Sequence, residues 1–239
     1  MSSSYHEVGF IAANTANPRA HLATPPDGFS NRVLVVWIFG DVTFSMDSGP
    51  TWNSVAMTEV GTIASVGGAA PFVRTYRLVA PISDGNEYTL AWDPVSTLRS
   101  ATIARWVDGI DQVTPNDTQE DATVSAGTSV SDDVTSAVGD LVVGAVAILN
   151  NPDPTFVPGA GQTDEVDLFG GGSASSPAAT GTVEAGAVTV TWSCSWTGNE
   201  DAISRCINLN AVAAGTDTMD VDRSMPRGLG RGLNRGLAY

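Results

Sequence analysis

A hydrolytic or transfer reaction in this chain would have to start from very few residues. His6 and His21 are the two imidazoles that could take a proton from a serine or cysteine nucleophile, and both stand near the start of a 239-residue chain. No Gly-x-Ser-x-Gly elbow accompanies them. Both histidines are therefore read as packing or surface groups. Cys194 and Cys206 lie twelve residues apart, far from either histidine, which does not match the ligand spacing of a zinc site. Asp108, Asp111, Asp117, Glu120 and Asp121 crowd a turn-rich stretch that could wrap a calcium ion. Their spacing differs from the EF-hand loop, and a solvated acidic loop is the simpler reading. No catalytic residue, metal ligand or cofactor is expected.

Tryptophan offers a different chemistry, because an exposed indole can stack on a sugar ring. Trp37 and Trp192 stand in apolar strands or faces and belong to a core. Trp52, just after the Gly49-Pro50 turn, is the candidate for a displayed ring and a glycan contact. Trp196 is expected to stack beside Arg205, as cation on ring.

The strongest binding signal is at the C-terminus. Residues 1–222 carry 7 Arg and all 26 acids, net −19, whereas residues 223–239 carry 4 Arg and no acid. From Arg227 to Leu237 the triplet Arg-Gly-Leu recurs every four residues. Arg223, Arg227, Arg231 and Arg235 can each place a planar guanidinium on a carboxylate, while Leu229, Leu233 and Leu237 fill apolar pockets. Glycine allows close backbone approach but denies the segment a stable helix of its own. An arm that orders on an acidic partner is expected, including the body of another copy.

The elements that must carry these residues read as strands. Charged residues are 15% of the chain, well under the roughly 25% of an average soluble domain, while hydrophobic residues are an ordinary 42%. Net charge is −15 with 11 Arg and no Lys, which argues against a nucleic-acid or anionic-membrane partner. The longest apolar runs, Val33 to Phe39 and Leu141 to Leu149, are too short to cross a bilayer as helices and rich in β-branched residues. They predict central strands covered on both faces. Ala187 to Trp196 alternates, with Val188, Val190, Trp192, Cys194 and Trp196 on its apolar face. Further short candidate strands, from Glu7 to Ala12 onward, are separated by turn signals such as Pro25-Pro-Asp-Gly28, Gly67-Gly68 and Asp84-Gly-Asn86. Ser131 to Val138 is the best place for a helical turn. If 187–196 and 203–212 form a hairpin through Gly198 to Asp201, matching apolar faces set Cys194 against Ile207 and turn Cys206 to the other face. Two free thiols are expected.

The order of several segments then carries a resemblance. Thr51-Trp-Asn-Ser-Val-Ala-Met57-Thr, Arg77-Leu-Val-Ala-Pro81, Glu87-Tyr-Thr-Leu-Ala-Trp92, Val107-Asp-Gly-Ile-Asp-Gln-Val-Thr-Pro115, Gly139-Asp-Leu-Val-Val-Gly-Ala-Val146 and Gly161-Gln-Thr163 follow one another. Together, over roughly Asn31 to Val212, they resemble a jelly-roll-like β-sandwich family of tailed-phage virion structural proteins: head decoration, tail and fibre components. The resemblance implies an all-β, two-sheet antiparallel, concanavalin- or lectin-like sandwich. Residues 1–30 would be an N-terminal segment with a first strand, 31–212 the sandwich, and 213–239 a linker and arm.

The expected role is a non-enzymatic virion protein, made in the host cytoplasm and attached to capsid or tail. Its partners would be other virion proteins and further copies of itself as a homo-oligomer, with no membrane, no nucleic acid and no cofactor. A receptor- or carbohydrate-binding module of a tail fibre, with a host glycan as ligand, is the alternative, and a glycan hydrolase a distant third.

Overall fold

The computed structural model describes residues 5–12, 19–28, 30–40, 46–82, 84–94, 100–149, 154–168, 178–185 and 187–212. Within them the protein is all-β and antiparallel. The strands, in chain order, are β1 (Tyr5–Ala12), β2 (Arg19–Ala23), β3 (Val33–Gly40), β4 (Met46–Trp52), β5 (Val55–Ala56), β6 (Thr58–Val66), β7 (Ala69–Val79) and β8 (Tyr88–Pro94). They continue with β9 (Ser100–Val107), β10 (Asn116–Thr135), β11 (Leu141–Ile148), β12 (Phe156–Pro158), β13 (Thr163–Leu168), β14 (Ala178–Glu184) and β15 (Thr189–Leu209).

Two sheets form the central sandwich. One has the order β1-β9-β3-β7-β6, the other β10-β15-β11-β14-β13 with β12 added on β15. Between them lies a core in which Val33, Val35, Trp37 and Phe39 of β3 meet Val143, Ala145 and Ala147 of β11 and Ile203 and Ile207 of β15. A third sheet, β2-β8-β4-β5, covers the outside of the first. There Leu34, Val36 and Ile38, the alternate residues of β3, pack with Trp52, Leu90, Trp92 and Trp106. Strand β3 is thus buried on both faces. This is why its run is apolar at every position instead of every second one.

The second sheet covers its own outer face by bending. β10 and β15 pair from Asn116↔Leu209 to Thr135↔Thr189, with register shifts between Val124 and Ser129. Ala126 (φ 50°) and Gly198 (φ 101°) take left-handed conformations at this bend. Asp201 fixes it, its Oδ1 accepting from Ser125 Oγ at 2.9 Å and Ala126 N at 2.8 Å. The two halves of the ribbon then face each other. Val130, Val134, Trp192, Cys194 and Trp196 of one half pack on Val142, Val146, Ala202 and Cys206 beneath.

The bend corrects several expectations. Residues 187–196 and 203–212 do not form a hairpin; 189–209 is one continuous strand, and Gly198 to Asp201 lies at its bend. Cys194 stands opposite Val130 and Pro158, and Ile207 opposite Gln119 and Val143. Both cysteines enter the same core and both are free. Trp196 pairs with Phe156, while the Arg205 guanidinium reaches the opposite sheet, so the two do not stack. The helical turn expected at Ser131 to Val138 is strand through Thr135, because Val130, Asp132 and Val134 alternate inward against Val190, Trp192 and Cys194. Residues 1–30 supply strands to two sheets, β1 on β9 and β2 on β8.

Candidate functional site

Fully buried Arg205 joins the two central sheets. Its guanidinium donates to Asp121 Oδ2 at 2.8 Å, Thr62 O at 2.7 Å and Val60 O at 3.3 Å, and its Nε pairs with Asp121 Oδ1. Register shifts in β6 between Val60 and Ala64, with Gly61 left-handed at φ 72°, accompany the turning of those carbonyls toward the cation. Beside this seam a polar cavity of about 300 Å³ is lined by Glu59, Gly61, Arg77, Asn116, Asp117 and Gln119. Burial lowers the affinity of Arg77 for its proton, and its guanidinium donates to Asn116. The cavity pairs one cation with carboxylates and amides. Among the described residues no group of three or more His, Cys, Asp or Glu is placed to hold a metal ion.

Most acids of the stretch are engaged by donors of the fold. Asp108 accepts from Ser30 N and Gly109 N, and Asp121 holds Arg205. Asp111 Oδ1 accepts from Thr114 N at 3.1 Å and Val113 N at 2.7 Å, which holds its carboxyl below the ordinary range. This Asx turn holds Val113 out into water at 89% exposure.

The same end of the molecule is fastened by Asp140 and Asn208. Asp140 accepts from Ala137 N at 3.0 Å, Asn208 Nδ2 at 2.9 Å and Ala211 N at 2.9 Å, tying the turn after β10 to the exit of β15. Asn208 Nδ2 also faces Asp117 Oδ1 and Asn210 Oδ1, each at 2.9 Å. Asn210 in turn donates to Thr114 O of the Asp111 loop at 2.7 Å. Ser136 N donates to Val188 O, and Gly139 N to Ala185 O. Val138 and Val188 are thereby displayed at 74% and 72% exposure. Val188 was expected on the buried face of its strand; it lies instead in the turn before β15.

Three exposed valines on hydrogen-bonded turns and the exposed Asp117 and Asp133 stand in these segments, while Asp108, Asp111 and buried Asp140 are taken up by donors of the fold and Arg77 lines the cavity beside Asp117. Val212 N donates to Gly109 O here, and residues 213–239 continue from it.

Arg223, Arg227, Leu229, Arg231, Leu233, Arg235 and Leu237 lie outside the described residues. Trp52 does not serve as a displayed ring. It is 1% exposed, edge-on to Tyr88 and Trp106 at ring separations of 5.7 Å and 5.1 Å, with its indole N–H toward Ile82 O at 3.4 Å. Register sets it against Leu90 under the third sheet, so a turn nearby in sequence does not expose it. His21 stacks on Trp92 at 5.1 Å, a packing role. The Arg205 junction and the exposed valines were not singled out from sequence, although Val113 and Val138, in turn segments beside aspartates, carried the signal.

No family model matches the chain, and no curated protein or solved structure matches it either.

Proposed function

We propose that this protein is a structural component of a tailed-virus particle, seated on capsid or tail through subunit contacts and through its basic C-terminal segment. The observation that carries this reading is the end of the body just described. It presents exposed valines among aspartates where the chain continues into a segment of alternating arginine and leucine. Such a body is suited to assembly: sheets covered by one another make a stiff block, and rigid turns present apolar side chains without an ordering cost on binding. The resemblance of several sequence segments, in their order, to virion sandwich proteins supports the setting.

Substituting Arg223, Arg227, Arg231 and Arg235 together with Ser tests the role of the segment. Occupancy of the variant on purified particles should fall several-fold, and occupancy of the unchanged chain should fall with rising salt. Unchanged occupancy overturns the reading. A glycan-binding module would draw on a displayed ring, and all six tryptophans are buried.

A further inference from the structure

We propose that the polar cavity at the edge of the sandwich binds a small zwitterion, a free α-amino acid, with its carboxylate on Arg77 and its ammonium among Gln119, Asp117 and Glu59. The site is separate from the attachment role, and neither requires the other.

The cavity is built where both central sheets are irregular. β6 and β10 are edge strands of those sheets. The register of β6 on β7 shifts between Val60 and Ala64, and that of β10 on β15 shifts between Asn116 and Gln119. These shifts stand on the two walls of the cavity, where the sheet edges part and leave about 300 Å³. A Cβ on Gly61 would collide with the Gln119 amide, so glycine is what lets β6 lie against that side chain.

Two polar groups in the cavity are incomplete. The Arg77 guanidinium, a planar fork of five N–H donors, donates to the neutral amide of Asn116. Among the described residues no carboxylate pairs with it, whereas Arg74 holds Glu59 and Arg205 holds Asp121. Burial lowers its affinity for its proton, as expected of a cation withdrawn from water without a counter-charge. Gln119 Oε1 is buried with no donor. One group calls for an anion and the other for an N–H. Glu59 gives Oε1 to Arg74 at 2.5 Å and Asp117 gives Oδ1 to Asn208 at 2.9 Å, which leaves a second oxygen on each to face a ligand cation.

Charge selects the class of ligand. A phosphate dianion on Arg77 would sit against Glu59 and Asp117, and a bare ammonium would sit against Arg77. A carboxylate joined to an ammonium answers both, and being neutral as a whole it is not repelled by a body of net −19. The volume is at the small end for ligand pockets, which suits a single amino acid. Among the described residues no aromatic ring lines the cavity, so a sugar ring would find no face to stack on.

Isothermal titration calorimetry on the full chain tests this with each of the common amino acids, against acetate, methylamine, inorganic phosphate and glucuronate. At least one amino acid should bind about fivefold or more tightly than acetate, because the ammonium adds a contact. Arg77→Gln should weaken that amino acid about thirtyfold. Asp117→Asn keeps an oxygen for Asn208, and should weaken the amino acid about fivefold while leaving acetate binding unchanged. Circular dichroism should show both variants folded, since neither change breaks an ion pair of the body. If Arg77→Gln fails to fold, Arg77→Lys takes its place; it keeps the charge, loses the fork, and should weaken the amino acid about fivefold. The site is wrong if no amino acid binds, if acetate, methylamine or glucuronate binds as tightly as the best amino acid, if phosphate is preferred, or if the Arg77 variant binds like the unchanged chain. None of these results changes particle occupancy, so the attachment reading is decided by its own experiment.

Discussion

Asp132 is a carboxyl 5% exposed in the core under the bent ribbon, opposite Trp192 and within hydrogen-bonding reach of Ser204 Oγ and Cys206 Sγ. Burial raises its proton affinity above the ordinary 3.8, the two hydrogen bonds pull it partly back, and Asp121 and Glu120 push it up further. A carboxyl raised in the folded state binds its proton more tightly there than in the unfolded chain. Its contribution is therefore fully present below 3.8 and is lost as pH rises through the folded value. Replacing Asp132 with Asn removes that loss. The stability of D132N relative to the unchanged chain should climb from acid to neutral pH in urea titrations, and a flat difference would refute the assignment. The neighbouring Cys206 thiol is pushed well up, by burial first and by Asp132 next. Neither cysteine should react with a thiol reagent in the native protein, and both should titrate once it is unfolded. Arg205 belongs to the same scale. Arg205→Met leaves the Val60 and Thr62 carbonyls and Asp121 without their donor, and should cost about 3 kcal/mol of unfolding free energy.

At the scale of the element, the bent ribbon depends on a pair of glycines. Gly144 of β11 and Gly181 of β14 lie side by side in register, and Trp192 sits across them, its indole N–H donating to Gly181 O at 3.1 Å. A Cβ on Gly144 would stand 2.5 Å from the Trp192 ring, well inside van der Waals contact. Gly144→Ala should therefore destabilise the protein by about 1 to 3 kcal/mol, read as a lowered midpoint in thermal denaturation. Combining it with Trp192→Leu should lose less than the two single changes together, since each relieves the other. The inward alternation of β15 from Val190 to Trp196 was legible in the sequence, because period-two burial writes itself directly into residue type. The bend was not. Gly198 reads equally well as the turn of a hairpin, and only pairing with β10 along its whole length makes it a corner in one strand.

For the whole molecule the contrast is between an acidic body and a basic C-terminal segment. The proposed seating through Arg223, Arg227, Arg231 and Arg235 would act between charges near water, and on that reading attachment should weaken with salt. Occupancy on purified particles measured across a salt series should fall for the unchanged chain and be nearly level, and low, for the variant with all four arginines changed to Ser. Much of this protein is determined by the linear order of its residues: an all-β class, central strands apolar throughout at Val33 to Phe39 and Leu141 to Leu149, and a basic C-terminus on an acidic body. These follow from residue type and short-range periodicity, which act without reference to distant segments. Tertiary structure alone decided that Trp52 is covered, that Arg205 spans two sheets, and that Val113, Val138 and Val188 share one end with the exit of the chain. Each of those depends on residues far apart in sequence meeting through strand pairing, and pairing partners are set by the closure of all the layers at once.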